Sequence, residues 1–132
     1  MKAVDTNILV RFSIEDDAQM AEAAAKTLEA AEKDREPLFV SLLVVLELNW
    51  VLASCYQFSR SDILDAFNEL LSMPALTFEA SDCLNSMIAL GRTTKLDISD
   101  LLIGLKAQKE GCDITLTLDQ RALRSTLFGR IM

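Results

Sequence analysis

The sequence predicts an α/β fold: a three-layer α/β/α sandwich with a short, mainly parallel sheet. Short apolar or β-branched segments alternate with amphipathic helices, the pattern of parallel strands joined by helical crossovers. The 132 residues are 51% hydrophobic, with only four Gly and two Pro. This composition can bury one core and leaves no linker, repeat or low-complexity segment. We therefore expect a single domain over residues 1–132.

Turn and cap signals place the elements of the first half. They are a very short buried strand at 2–4, a helix at 6–12, a long helix from 16–17 to about 35, a strand at 38–40 and a helix at 42–53. Pro37 prevents a helix from running into the strand that follows it. Ser41 is a preferred helix cap, placed just before a strongly apolar run that we expect to be largely buried.

The second half continues the alternation. Its expected elements are a helix at 62–73 capped by Ser59 or Ser61, a strand at 76–78, helices at 80–90 and from 97–99 to 110, a strand at 112–118, a short helix at 119–124 and an edge strand at 128–131. Pro74 and Gly111 supply helix stops. The helix at 62–73 presents Ile63, Phe67, Leu70 and Leu71 on one face, more apolar surface than a small core needs. We therefore expect a homodimer to cover that face.

Composition excludes several kinds of chemistry. The chain has no His, which removes His-based triads and His-metal sites. Cys55, Cys83 and Cys112 have no C-x-x-C spacing, so a zinc site or disulfide framework is not expected, and we interpret them as small core residues in a reducing compartment. The net charge of −7 argues against a broad basic surface for nucleic acid, although basic residues outnumber acidic ones within 92–132.

A membrane location is not expected. Residues 37–56 are long and apolar enough to imitate a membrane span, but Glu47 lies at their centre and Asn49 is two residues further on. The opening residues MKAVDTN lack the apolar region of a signal peptide. We expect a cytoplasmic protein without a membrane segment.

Four acids carry the predicted chemistry. Asp5 and Asp119 each follow a predicted strand, Asp100 lies in the first turn of a helix, and Glu47 interrupts an apolar helix. Ligands of such folds gather at the carboxyl ends of the strands, so we expect these acids to converge. Converging carboxylates repel one another unless they share a cation, and oxygen-only ligands select Mg²⁺ or Mn²⁺. This donor set suits hydrolysis of a phosphodiester.

Structural roles compete with that hypothesis. Asp5, Asp97 and Asp119 could each be helix N-caps, and the helix dipole alone favours an acid at Asp100. Glu47 could instead be a buried carboxylate with a basic partner, but no Lys or Arg lies between Pro37 and Ser59. One shared metal site explains all the acids more simply than separate structural roles.

Four motifs in order then resemble those of a known family. They are the D-T-N within Val4–Leu9, the acid within Val44–Leu48, the D-x-x-D-x-x-I within Leu96–Ile103, and T-x-D at Thr117–Asp119. Together they resemble PIN-domain nucleases, especially the VapC toxins of bacterial toxin–antitoxin pairs. D-T-N alone is a weak signal, whereas the ordered set reaches both ends of the chain. Leu101 departs from the pattern, since many relatives have a small residue there.

The resemblance implies the roles of individual residues. Asp5, Glu47, Asp100 and Asp119 would form an acidic quartet around Mg²⁺ or Mn²⁺, with Asp5 and Asp100 as the most direct ligands. The supporting residues would be Thr6, Asn7 and Thr117, with Asp97 as a companion acid for which we prefer a capping role. Lys95, Arg92, Lys106, Lys109, Arg121 and Arg124 are candidates for contacts with the RNA backbone. Any one of them could be solvated surface, and Arg121 and Arg124 are favoured because they follow Asp119 closely.

These observations lead to one function and two alternatives. The resemblance implies a metal-dependent endoribonuclease, the toxin of a toxin–antitoxin system, with RNA as substrate and a small antitoxin protein as inhibitor. A catalytically silent PIN-like binding or assembly module is the main alternative, although no acid of the quartet is missing. A receiver-type phosphoacceptor domain ranks last, because no second acid adjoins Asp5 and no Lys follows Asp119.

Overall fold

The computed structural model describes residues 1–14 and 16–131. The chain divides into two compact units, Met1–Ser81 and Asp82–Met132, called here the N-terminal and C-terminal units. The single domain expected over the whole chain stays a prediction. Parallel pairing of short strands, with helices between them in the chain, confirms the predicted α/β class.

The N-terminal unit contains one parallel strand pair. Its elements are α1 (Thr6–Ser13), α2 (Ala18–Lys33), β1 (Leu38–Val40), α3 (Leu42–Ser54), α4 (Arg60–Leu71) and β2 (Leu76–Phe78). β1 and β2 pair with Leu38 opposite Leu76 and Val40 opposite Phe78. The strand expected at 2–4 is reduced to a bridge between Ala3 and Phe39, because Asp5 already caps α1.

Helix α3 buries one narrow face. Ser41 caps it by accepting a hydrogen bond from the Val44 N–H at 3.2 Å. Val45, Leu48 and Leu52 are buried, at the spacing of a single helical stripe. On the opposite face Leu43 is 77% exposed and Trp50 is 62% exposed, with the exposed Glu47 between them in sequence. The expectation that Glu47 is buried is therefore wrong.

Helix α4 also corrects an expectation. Ser59 and Asp62 form a reciprocal capping box at its start. The side chains of Ile63, Phe67 and Leu70 are at most 3% exposed in the monomer. This apolar face belongs to the core, so it gives no reason to expect a homodimer.

The C-terminal unit contains the second strand pair. Its elements are α5 (Ser81–Thr93, beginning at the boundary), α6 (Ile98–Lys109), β3 (Thr115–Thr117), a 3-10 helix (Ala122–Arg124) and β4 (Phe128–Arg130). α5 continues past Gly91, which is buried within it. The strand predicted at 112–118 is shortened to the three residues that pair in parallel with β4. Gly111 ends the preceding helical segment with φ +96°, as its position predicts.

Two further expectations concern the cysteines and a membrane span. Cys83 is buried, as a small core residue should be, whereas Cys55 and Cys112 are exposed; all three are free thiols. Within residues 1–14 and 16–131, no helix combines the length and apolar character needed to cross a bilayer.

Gly104 allows α6 to approach the segment that leads into β4. A Cβ added at Gly104 would lie 2.9 Å from the Leu127 Cβ and 3.1 Å from the Phe128 ring. A contact this short with another Cβ atom requires the backbone to move. The absence of a side chain at 104 therefore determines how closely α6 packs against residues 127–128.

We predict that Gly104→Ala destabilises the protein. Ala is the better helix former by about 1 kcal/mol, but overpacking in a tight core costs about 1–3 kcal/mol, so the clash should prevail. Urea unfolding of the variant checks this, with Ile103→Ala on an exposed position of the same helix as the control. An increase in the stability of Gly104→Ala would contradict the packing described here.

Candidate active site

Asp5 stands at the start of α1 and already has one structural role. Its Oδ1 accepts a hydrogen bond from the Asn7 N–H at 3.2 Å, so Asp5 is the N-cap of the helix. Its side chain is exposed, and the second carboxylate oxygen has no hydrogen bond among the described residues. The cap and the proposed ligand role are therefore compatible.

Thr6 is the least satisfied polar residue near Asp5 in the sequence. The residue is 3% exposed, and its Oγ1 has no hydrogen-bond partner among the described residues. Leaving a buried hydroxyl unpaired costs about 1–3 kcal/mol. An orphan hydroxyl next to an exposed carboxylate suits a polar ligand, whereas a purely structural Thr would be expected to bond to the helix backbone.

Glu47 lies on the exposed face of α3. No ion pair of Glu47 is found in the part of the chain that the structure describes. The surrounding exposed residues of that face are apolar. Its carboxylate is thus accessible and uncompensated, rather than buried in a core.

Two acids lie at the start of α6. Asp97 occupies the N-cap position, but its side chain makes no capping hydrogen bond. The preferred capping role of Asp97 is therefore wrong as regards its carboxylate, because the backbone adopts a cap geometry without using the side chain. Asp100 is half-buried in the first turn of α6. Leu101, the departure from the family pattern, is buried in the core of this unit.

Asp119 is held in a hydrogen-bonded turn after β3. The Thr117 Oγ1 accepts from the Asp119 N–H at 3.0 Å, and the Asp119 Oδ1 accepts from the Arg121 N–H at 2.9 Å. Thr117 thus positions the backbone of Asp119. The Asp119 carboxylate in turn holds the start of the segment that carries Arg121. The supporting role expected of Thr117 toward a ligand stays a prediction.

The acids of the C-terminal unit influence one another. Partial burial raises the pKa of Asp100, and the negative charges of Asp97 and Asp119 raise it further. No Lys or Arg forms an ion pair with any of these three acids among the described residues. The negative charge at the start of α6 is left without a protein counterion.

An open cavity of about 730 Å³ lies beside these acids, entirely within the C-terminal unit. Asp97 and Asp100 line it, and so do three of the six predicted RNA contacts, Lys95, Arg121 and Arg124. The cavity also has an apolar wall and includes Gln108 and Thr126, which the sequence did not single out. Sequence reasoning missed these residues because the cavity forms only where the folded path of residues 121–127 meets α6, the helix on which Gln108 lies.

Two of the other three predicted cations form ion pairs within the fold. Lys106 pairs with Glu110 at 2.6 Å and Lys109 pairs with Asp82 at 2.7 Å. The second pair raises the pKa of Lys109 and lowers that of Asp82. These two lysines are engaged within the fold, which makes them weaker candidates for RNA contacts than the cations of the cavity.

The described acids meet some of the requirements of a metal ion. Within residues 1–14 and 16–131, no three or more His, Cys, Asp or Glu side chains are grouped so as to hold a metal. Mg²⁺ commonly keeps several waters and takes only one or two carboxylates, so such a group is not required. Within the N-terminal unit, the exposed oxygen of Asp5 and the orphan Thr6 hydroxyl are hard oxygen donors of the kind that Mg²⁺ or Mn²⁺ prefers. Within the C-terminal unit, the uncompensated carboxylate of Asp100 is a donor of the same kind.

Comparison with known proteins identifies the family. Residues 2–126 match the PIN domain. The chain belongs to the PIN domain family. This PIN domain is also 26% identical over 121 residues to a protein named VapC ribonuclease from Aquifex aeolicus (strain VF5), covering 92% of this chain and 89% of that relative. The resemblance carried by the four motifs is confirmed at the level of the family, and with it the PIN-like fold class.

We predict that Asp100→Asn stabilises the metal-free protein at neutral pH. A raised pKa means that the fold disfavours the ionised carboxyl, so the penalty is fully present above the folded-state pKa and vanishes below the unfolded-state pKa. Urea midpoints in EDTA should be higher for Asp100→Asn at pH 7, and the difference should close as the pH falls below the ordinary Asp range. Asp113→Asn, an exposed acid outside the cavity, is the control. A lower midpoint for Asp100→Asn at pH 7 would rule out the repulsion described here.

Proposed function

We propose that this PIN domain is a metal-dependent endoribonuclease, the toxin of a toxin–antitoxin system. The observation that carries the proposal is a family match over nearly the whole chain, with an acid present at each of the four motif positions. The name of the Aquifex aeolicus relative, VapC ribonuclease, supports RNA as the substrate. The absence of His leaves carboxylates as the natural ligands for the catalytic ion.

Carboxylates would hold the ion. Asp5 and Asp100 would be the direct ligands. Glu47 and Asp119 would add negative charge around the ion or bind it through water. A bound Mg²⁺ or Mn²⁺ lowers the pKa of a water and screens the charge that develops on the phosphate. Asp100 is well suited to this role because its own charge has no counterion within the fold.

Neighbouring groups would position the acids and the substrate. The Thr6 hydroxyl and the exposed Asn7 amide lie next to Asp5 in the chain and can bond to a ligand water or a phosphate oxygen. Thr117 fixes the backbone of Asp119. Arg121, Arg124 and Lys95 would bind the RNA backbone, because they line one cavity with Asp100 and have no ion-pair partner among the described residues.

The proposal includes partners. A toxin needs an inhibitor, and a small antitoxin protein produced with it would occupy the surface that RNA uses. We also propose that the protein forms a homodimer and that it is cytoplasmic. The support for the homodimer is the family resemblance alone, because the apolar face of α4 is buried in the monomer.

We predict that RNA cleavage requires divalent metal and the acids. Purified protein with Mn²⁺ should cleave single-stranded or structured RNA, and EDTA should abolish cleavage. Asp5→Asn and Asp100→Asn should each lower the rate by on the order of 100-fold or more, since even the outer partners of metal ligands are worth about 10–100-fold. Asp113→Asn should cleave at the wild-type rate. Folded wild-type protein that binds RNA without cleaving it would favour a catalytically silent binding module.

We predict a different pattern for Glu47→Gln. The side chain is exposed, so the free energy of unfolding should change by no more than about 0.5 kcal/mol. Cleavage should nevertheless fall well below the wild-type rate, because a neutral amide holds a cation less well than a carboxylate. The measurements are urea unfolding and Mn²⁺-dependent RNA cleavage, with Glu29→Gln, an exposed acid on α2, as the control. If Glu47→Gln cleaves like the wild type, Glu47 has no part in the reaction.

A further inference from the structure

The cavity of the C-terminal unit has more apolar wall than a phosphate or a metal ion needs. Leu96, Leu101 and Leu105 line it, together with Leu90 and Leu127. Its volume of about 730 Å³ lies in the range of small-molecule sites, roughly 300–1,000 Å³. Apolar walls favour a group that gains by leaving water, such as an aromatic ring.

Cations on the lining of the same cavity suit an anion. Lys95, Arg121 and Arg124 are exposed residues that line it, and none of them forms an ion pair among the described residues. Two uncompensated acids, Asp97 and Asp100, lie on the same lining. Charges of both signs thus share one cavity without neutralising each other, and they stay available to a ligand. A ligand with a flat apolar ring and an attached phosphate satisfies both the leucine wall and the cations.

Gln108 adds a means of discrimination. It lines the cavity from the last turns of α6, and its side-chain amide has no hydrogen bond in the part of the chain that the structure describes. An amide presents a donor and an acceptor side by side, the complement of the polar edge of a nucleobase. Thr126 also lines the cavity, and its hydroxyl has no hydrogen-bond partner among the described residues.

We propose that this cavity binds one unpaired nucleobase of a single-stranded RNA, with Gln108 reading the edge of the base. The inference rests on the proposed function and adds to it the class of RNA and the source of its sequence preference. Proteins recognise RNA sequence mainly at unstacked bases in loops, which can be splayed out into a pocket. With the base in the leucine-lined cavity, the attached phosphate lies beside Arg121 and Arg124 on the lining that also carries Asp100.

The test compares cleavage profiles. A pool of random single-stranded RNA is cleaved with Mn²⁺, and the new ends are sequenced for each variant. Gln108→Leu removes the polar edge at nearly constant size, and Thr126→Trp fills the cavity. Gln120→Leu is the matched control, because Gln120 is exposed next to Arg121 but does not line the cavity. Circular dichroism establishes that each variant folds.

Wild type and Gln120→Leu should share a strong preference for one base at a fixed position relative to the cut. Gln108→Leu should reduce that preference on the order of tenfold, the size expected for a lost pair of base-edge hydrogen bonds. Thr126→Trp should abolish the preference and slow cleavage. An unchanged profile in both cavity variants, with cleavage still dependent on Asp100, would overturn the base pocket and leave the proposed function standing.

A binding measurement separates the two proposals if the wild type does not cleave RNA. RNA containing the fluorescent base 2-aminopurine is titrated onto Asp5→Asn protein, whose substitution lies outside the cavity. A fluorescence change that weakens on the order of tenfold in Gln108→Leu, and is kept in Gln120→Leu, would support the pocket without the nuclease. Equal binding by every variant, or no binding, would overturn the pocket.

Discussion

Uncompensated negative charge at the start of α6 is the constraint on which the rest of the site depends. Partial burial raises the pKa of Asp100, and the negative charges of Asp97 and Asp119 raise it further. The cations of the adjacent cavity stand too far away to form ion pairs with these acids. A structural cluster would be expected to pair such charges. We propose that these charges are left for a cation and a phosphate from outside the chain.

The C-terminal unit builds this arrangement from simple local devices. The Thr117 hydroxyl fixes the backbone of Asp119, and the Asp119 carboxylate directs the segment that carries Arg121. At the other end of this segment, the absence of a side chain at Gly104 lets residues 127–128 pack closely against α6. Packing at one end and hydrogen bonding at the other therefore hold the arginines on the lining of the cavity with Asp100.

Local signals in the sequence predicted most elements and failed where tertiary packing decides. Pro37 and Ser41 bracket a strand that forms at Leu38–Val40 as predicted, because proline and cap effects act within a few residues. The burial expected for Glu47 is wrong because the hydrophobicity of α3 does not reveal which face is covered: Leu43 and Trp50 are exposed despite being apolar. The strand predicted at 112–118 is too long because only three of its residues pair with β4. The acids could be named from their motifs, whereas the cavity with Gln108 required the folded path of residues 121–127.

Metal-linked stability tests the central claim most directly. A ligand that binds only the folded state stabilises it by mass action, by about 2.7 kcal/mol at a concentration 100 times its Kd. We predict that millimolar Mn²⁺ or Mg²⁺ raises the Tm of the wild type above its value in EDTA. The rise should be blunted in Asp100→Asn and kept in Asp113→Asn. Identical melting curves for the wild type in EDTA and in Mn²⁺ would contradict the account, because the acids would then share no cation.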